Sequence, residues 1–172
     1  IQAAVLRAAD TVGCPWWAAL ACLQMETGEK GANIYGHDAG GAMSGAGEVT
    51  EENFRQFYAL ISNGHTSNGV GPLQITYPGY FLNDPDRHWW DPEKSSEVGC
   101  SILRDLIKSE GDSYEALRRV GSRYNSGNAQ SAYQSYGVPF SNACRSWYNY
   151  GRPAGGGEGD ELMASEAVNL HT

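Results

Sequence analysis

An apolar segment near the start of the chain, Pro15 to Met25, constrains the fold more than any other feature. Its only polar side chain is Gln24, and the rest are tryptophan, alanine, leucine, cysteine and methionine after the proline. A helix that is hydrophobic on all sides is buried, so this segment predicts a core helix. Pro15 suits its first turn, and Gly28 can close it in a left-handed conformation.

Glu26 stands at the end of this predicted helix and is followed by Thr-Gly. A carboxyl on the last turn of a core helix has hydrocarbon on one side and a cleft on the other. Desolvation then raises its pKa, which lets it hold a proton near neutrality and act as a general acid. The alternative is an ordinary helix-terminal glutamate in solvent.

Length and charge restrict the classes of function. The chain has 172 residues, of which 41% are hydrophobic, which fits one domain with its own core. No apolar run approaches the roughly 20 residues of a membrane span, so we expect no membrane insertion. The net charge of −8 argues against nucleic acid and for an uncharged substrate. The chain begins at Ile1 and has no visible signal peptide, and we interpret it as a processed protein or a piece of a longer one.

Helical periodicity and capping signals predict a mostly helical domain. Thr50 is a candidate N-cap, with Glu51 and Glu52 in the first turn, and the aromatic stripe from Phe54 to Ile61 is expected to pack in the core. Asp91 followed by proline predicts another helix start. The predicted helices cover about residues 1–12, 15–28, 50–64, a segment from residue 91, residues 114–124 and residues 141–150.

Two segments have a different composition. Residues 31–50 contain six glycines and few long apolar side chains, which predicts a turn-rich loop or a short hairpin. From Arg152 onward the sequence is glycine-rich and acidic, which is typical of a linker. We therefore expect a domain at residues 1–151 and a tail at residues 152–172, with room for a further module in the parent protein.

The cysteines and histidines give no metal signature. Cys14, Cys22, Cys100 and Cys144 lack the CxxC spacing of zinc sites, and three pairings remain open if all four form disulfides. Cys22 and Cys100 fall in helical apolar patterns, which favours buried thiols. The four histidines are scattered, so we expect neither a metal ion nor another cofactor.

Three motifs occur in a characteristic order. They are Glu26-Thr-Gly with Tyr35-Gly-His-Asp38 downstream, then Gly71-Pro-Leu-Gln-Ile75, then Tyr124-Asn-Ser-Gly127. Together they resemble the lysozyme-like superfamily, over about residues 1–150. Gly-x-x-Gln-Ile and Tyr-Asn-x-Gly are similar to goose-type lysozymes and soluble lytic transglycosylases. Glu-Thr, a second glutamate at Glu48 and Gly-Pro-Leu-Gln resemble plant-type chitinases and endolysin domains of phages that infect actinobacteria.

The resemblance implies a lysozyme-like α+β fold, mostly α, with a helical core and a small β-hairpin or loop region beside the cleft. It also implies two catalytic groups, because glycosidic cleavage uses a protonated carboxyl and a second group that activates water or stabilises the oxocarbenium-like centre. Glu26 is the expected acid. The second group is either Asp38, from the goose-type pattern, or Glu48, which matches the chitinase-like base, and the chitinase-like features favour Glu48 slightly. The second aspartate of the goose-type pattern is replaced by Thr76 here.

Several polar and aromatic residues are candidates for substrate contacts. The amides of Gln74 and Asn125 each offer a donor and an acceptor for an N-acetyl group, or else lock the cleft loops. Tyr35 and Tyr124 either stack on sugars or pack in the core, and His37 either lines the cleft or donates to Asp38. The expected substrate-binding residues are Tyr35, His37, Gln74, Thr76, Tyr124 and Asn125.

The resemblance predicts a peptidoglycan-degrading glycoside hydrolase of the endolysin type, a monomer whose partner is the glycan strand of the bacterial wall. Such an enzyme is made in the host bacterial cytoplasm and reaches the wall during lysis, or else it is virion-associated or secreted. The alternatives are a lytic transglycosylase, which needs only the acid, a chitinase-like glucosaminidase, and a glycan-binding module without catalytic activity.

Overall fold

The structure, a computed structural model, describes residues 1–154, so residues 155–172 of the predicted tail lie outside it. The described chain is mostly helical, as predicted. No helix within residues 1–154 is long and apolar enough to cross a membrane. The elements are α1 (Gln2–Val12), α2 (Trp16–Thr27), α3 (Glu51–Ser62), α4 (Pro78–Asn83), α5 (Pro92–Glu110), α6 (Tyr114–Ser126), a π-helical segment (Tyr133–Gly137) and α7 (Val138–Tyr150).

Helix α2 lies in the middle of the larger core, because it is apolar on every side. All residues from Trp16 to Leu23 are buried. Helices α1, α5 and α7 pack against it, and side chains such as Leu103, Val120 and Phe140 complete this core. The prediction of a core helix with Glu26 on its last turn is confirmed, and the helix ends at Thr27.

A second core is built mainly from aromatic rings. Phe57 contacts Phe81, with ring centroids 5.3 Å apart, and Phe81 contacts Trp89 at 4.7 Å, both in edge-to-face geometry. Phe54 and Ile61 of α3 are also buried here, as the helical stripe predicted. Residues 1–154 therefore contain two hydrophobic clusters, and Tyr35 and Val49 of the loop region belong to the aromatic one.

The loop region contains no regular strand within the described residues. Its β-structure consists of isolated bridges, in which Ile34 pairs with Glu48, Tyr35 with Val70 and Gly41 with Thr66. Segment 31–50 thus pairs partly with residues 66–70 and not only with itself. Its glycines at positive φ form turns that interrupt continuous strand pairing. Of the two predicted alternatives, the turn-rich loop is present, with isolated bridges instead of a regular hairpin.

Local capping signals placed several helix ends correctly. The Thr50 hydroxyl accepts the Asn53 N–H at 3.2 Å, and the Asn53 side chain returns a bond to the Thr50 N–H, which completes a capping box. The Asp91 carboxylate accepts the Glu93 N–H at 2.9 Å. Gly28 ends α2 with a φ of 98° and a ψ of 168°, so its φ is positive but the predicted left-handed helical conformation is wrong.

The four cysteines are buried thiols. All of them belong to the larger core. Burial raises the pKa of Cys22 and Cys144 well above the usual thiol value, which keeps both protonated. The prediction of buried free thiols at Cys22 and Cys100 is confirmed.

Arg152 extends the packed domain one residue past the predicted boundary. Its side chain is 1% exposed and forms a bidentate ion pair with Asp10 of α1, with N–O distances of 2.9 and 2.6 Å. The chain that leaves α7 is thereby attached to α1. A domain that ends at residue 151 would lack this ion pair.

We expect Arg152→Ala to lower the free energy of unfolding by about 1–3 kcal/mol, because it leaves Asp10 without a charged partner and removes packed hydrocarbon. Urea denaturation measures the change. The control is Arg55→Ala. The Arg55 side chain is 71% exposed in its pair with Glu51, so this change should alter stability by less than about 0.5 kcal/mol. Equal losses for the two variants would contradict this role of Arg152.

Candidate active site

A cleft of about 530 Å³ opens at the end of α2, where the two cores meet. Its lining comes from the ends of α2 and α6, from the loop region, from residues 74–80 and from α5. Three of the motif segments meet here, although they are far apart in the sequence. The lining residues are Glu26, Asp38, Gln74, Ile75, Thr76, Tyr77, Tyr80, Ile102, Arg123, Tyr124, Asn125 and Gly127.

The Glu26 carboxyl has the environment of a proton donor. Burial at the end of the apolar helix raises its pKa to about 7, and the charge of Asp38 raises the pKa further, while the Tyr136 hydroxyl lowers it. Desolvation is the largest of these effects, because the charged form loses hydration beside the core. A carboxyl with a pKa near 7 exists in both protonation states at neutral pH and suits general acid catalysis.

Tyr136 reaches Glu26 from the π-helical segment. It is buried beside Phe140, with ring centroids 6.2 Å apart, and its hydroxyl makes no regular hydrogen bond within residues 1–154. Gly137 next to it is required sterically, since a Cβ there would lie 2.2 Å from the Arg118 carbonyl oxygen. Tyr136 was not predicted as a site residue, because no local pattern marks a π-helical turn that brings a hydroxyl near a distant carboxyl.

Asp38 lies opposite Glu26 in the cleft and is held by backbone groups. Its Oδ2 accepts the Gly69 N–H at 2.8 Å. Its carbonyl oxygen accepts the Ser44 hydroxyl at 2.8 Å and the Gly41 N–H at 2.9 Å. These bonds fix the position of the Asp38 carboxylate in the lining of the cleft.

Gln74 lines the cleft and also locks the loops that form it. Its Nε2 donates to the carbonyl oxygens of Ile34 and Gly71, both at 3.0 Å. A Cβ on Gly36 or on Gly69 would lie 2.3 Å from the Gln74 Oε1, so a larger residue at either position would displace the Gln74 amide. Gln74 itself has a φ of 55°, a strained conformation that these contacts maintain. Its amide N–H groups are therefore occupied by the protein.

The segment after Gly71 is anchored to α2 and to α6 by two hydrogen bonds. The Thr27 hydroxyl donates to the Pro72 carbonyl at 2.9 Å, and the Tyr124 hydroxyl donates to the Leu73 carbonyl at 2.6 Å. Tyr124 thus connects α6 to this segment, and burial raises the pKa of its hydroxyl. The motif residues Glu-Thr, Pro-Leu-Gln and Tyr-Asn are joined by these bonds.

Not every predicted site residue lies in the cleft. Thr76 and Asn125 are exposed within it. Tyr35 is 1% exposed, packs on Phe57 and donates its hydroxyl to the Asn53 side chain at 2.8 Å. A sugar cannot stack on a ring that is buried in this way. The predicted substrate contact of Tyr35 is therefore wrong, and the ring packs in the core. His37 and Glu48 are exposed and do not line this cleft. Of the two candidates for the second carboxylate, the structure brings Asp38 to Glu26.

Four further lining residues were missed by the sequence analysis. Tyr77 and Tyr80 are 68% and 38% exposed and form an edge-to-face pair with centroids 5.8 Å apart. Their position directly after the Gln-Ile-Thr motif was the available signal. Arg123 pairs with Glu110 at 3.0 Å, and Ile102 contributes an apolar surface. Within residues 1–154, no three His, Cys, Asp or Glu side chains are grouped in a way that would hold a metal ion.

Comparisons with known proteins add no relative: no protein-family model, curated protein sequence or solved structure matches this chain. The function of the chain is therefore inferred from the residues and the geometry of the cleft.

The raised pKa of Glu26 predicts a pH-dependent cost in stability. Because the folded-state pKa of about 7 exceeds the ordinary value of 4.5, the folded chain binds more protons between these values, and stability falls as the pH rises through them. Glu26→Gln removes this loss. We expect the variant to be more stable than the parent, by an amount that grows from pH 5 to pH 8 to at most about 3 kcal/mol.

Urea denaturation of both proteins across this pH range measures the difference. Glu48→Gln, which removes an exposed carboxylate of the same type, is the matched control. A difference between parent and Glu26→Gln that stays constant from pH 5 to pH 8 would contradict the raised pKa.

Proposed function

We propose that this chain is a peptidoglycan glycosidase with a lysozyme-like fold, which cleaves the β-1,4 bonds of the N-acetylmuramic acid and N-acetylglucosamine backbone. The observation that carries the proposal is the Glu26 carboxyl, which combines a pKa of about 7 with a position in an open cleft opposite Asp38. If the chain is an endolysin, the enzyme is made in a host bacterium and acts on the bacterial wall during lysis.

In the proposed reaction, Glu26 donates its proton to the oxygen of the leaving sugar as the glycosidic bond breaks. Positive charge then develops on the anomeric carbon, and the Asp38 carboxylate stabilises it or activates the attacking water. The Gly69 N–H holds one oxygen of Asp38 at 2.8 Å, so the carboxylate needs little reorganisation during the reaction. The exposed Asn125 amide and the exposed Tyr77 and Tyr80 rings offer hydrogen-bonding and stacking groups to N-acetylated sugars.

A lytic transglycosylase is the second candidate, and the Gly69–Asp38 bond favours it. If this bond gives Asp38 a purely structural role, Glu26 is the only catalytic carboxyl, and the 6-hydroxyl of the substrate attacks in place of water. The product then carries an anhydro ring.

Mass spectrometry of digested peptidoglycan tests the proposal and identifies the bond. Reducing muramic ends are expected for the proposed muramidase, reducing glucosamine ends for a glucosaminidase, and anhydromuramic ends for a transglycosylase. Glu26→Gln serves as the inactive control. Unchanged peptidoglycan after incubation with the parent enzyme, under conditions in which it is folded, would refute glycosidase activity.

A further inference from the structure

Asn68 is 0% exposed, and its side-chain amide makes three hydrogen bonds to the turn of the loop region that carries Asp38. Its Nδ2 donates to the Gly36 carbonyl oxygen and to the Ser44 hydroxyl oxygen, both at 2.8 Å. Its Oδ1 accepts the Met43 N–H at 2.7 Å. Because these partners lie on both sides of Asp38 in the sequence, the Asn68 amide holds the turn at both ends.

Two further bonds connect Asp38 itself to residues 68 and 69. The Ser44 hydroxyl, which accepts from Asn68, donates to the Asp38 carbonyl oxygen at 2.8 Å. The N–H of Gly69, the residue after Asn68, donates to the Asp38 Oδ2 at 2.8 Å. The turn also packs directly on the amide, since a Cβ on Gly41 would lie 2.3 Å from the Asn68 Nδ2. The position of the Asp38 carboxylate therefore depends on that of Asn68.

The segment that follows Asn68 is attached to the helix that carries Glu26. The hydroxyl of Thr27, the next residue of α2, donates to the Pro72 carbonyl oxygen at 2.9 Å. A chain of hydrogen bonds and four residues of backbone thus connects the two carboxyls. Asn68 is buried and does not line the cleft, so it has no contact with a substrate there. Its effect on a reaction is limited to the placement of the groups that do line the cleft.

We propose that Asn68 is a positioning residue that sets the separation between the Glu26 and Asp38 carboxyls. This inference rests on the proposed function, in which both carboxyls act on the glycosidic bond. Their separation decides whether the second carboxylate reaches the anomeric carbon or a water molecule beside it. A misplacement on the order of 1 Å can lower a rate about a hundredfold, even when the substituted residue lies outside the site.

The test compares kcat and KM of Asn68→Ala with those of the parent on soluble glycan strands. We expect kcat to fall at least about tenfold and KM to stay within about twofold, because the lost contacts position a catalytic group and bind no substrate. The double variant with Asp38→Asn should be at most about twofold slower than Asp38→Asn alone, since Asn68 acts through Asp38. Two independent effects would multiply.

Ser44→Ala is the milder variant, because it removes only the exposed hydroxyl that joins the Asn68 amide to the Asp38 carbonyl oxygen. Its kcat should fall about threefold or more. The matched control is Ser62→Ala, which also removes an exposed hydroxyl that donates to a backbone carbonyl, that of Tyr58 at 2.7 Å. This control should keep the kcat of the parent.

Thermal denaturation verifies that each variant is folded. If Asn68→Ala does not fold, Ser44→Ala and its double variant with Asp38→Asn decide the same question. An unchanged kcat in the folded variant, or losses that multiply fully in the double variant, would overturn the inference while leaving glycosidase activity in place. Cleavage of no strand by the parent would refute the proposed function, and this inference with it.

Discussion

Glu26→Gln is expected to lower the rate of peptidoglycan cleavage at least about a hundredfold, since general acid catalysis is typically worth 10² to 10⁴. Glutamine has nearly the same shape but no acidic proton, so the cleft should keep its form. Release of soluble muropeptides from purified walls measures the rate. Glu29→Gln, an exposed glutamate three residues later, is the matched control and should retain the parent rate.

The pH dependence of the parent provides a second readout of the same role. With a pKa of about 7, the protonated fraction of Glu26 falls about tenfold per pH unit above neutrality, and the rate should fall with it. Wall binding by Glu26→Gln should persist. Cleavage by this variant within a few fold of the parent would remove Glu26 from the reaction and leave a glycan-binding module as the better interpretation.

Asp38→Asn is expected to lower the rate by about ten- to a hundredfold, whereas Glu48→Gln should change it by no more than a few fold. This order reverses the expectation from the sequence pattern, because the cleft contains Asp38 and not Glu48. Asparagine keeps an oxygen acceptor for the Gly69 N–H, so the loop should stay in place. Thermal denaturation of both variants verifies that the fold is intact.

Chemical rescue by azide also distinguishes the catalytic roles of Asp38 and Glu48. A small anion can replace a lost carboxylate that activates water, so azide should accelerate Asp38→Ala and leave Glu48→Ala unchanged. If Glu48→Gln is instead the slower enzyme and azide rescues Glu48→Ala, the chitinase-like assignment is right and Asp38 only holds the loop.

Much of the helical scaffold was predictable because its signals are local. Thr50 and Asp91 cap helices through contacts two or three residues away, and the apolar segment before Glu26 needs no partner to indicate burial. Helix α4 and the π-helical segment were not predicted. The first is six residues long, and the second is stabilised by packing on α6 and α7.

The sequence by itself determined the core helix, the acid at its end, the mostly helical class and the motif segments that line the cleft. Tertiary structure decided which carboxylate faces Glu26, because a glycine-rich loop has no periodicity and its path depends on bonds to Gly69 and Asn68, about thirty residues away. It also decided that Tyr35 is buried and that Tyr136 lies near enough to Glu26 to lower its pKa, since burial and charge arise only when distant segments meet. Residue types therefore indicated the chemistry, and long-range packing assigned the positions.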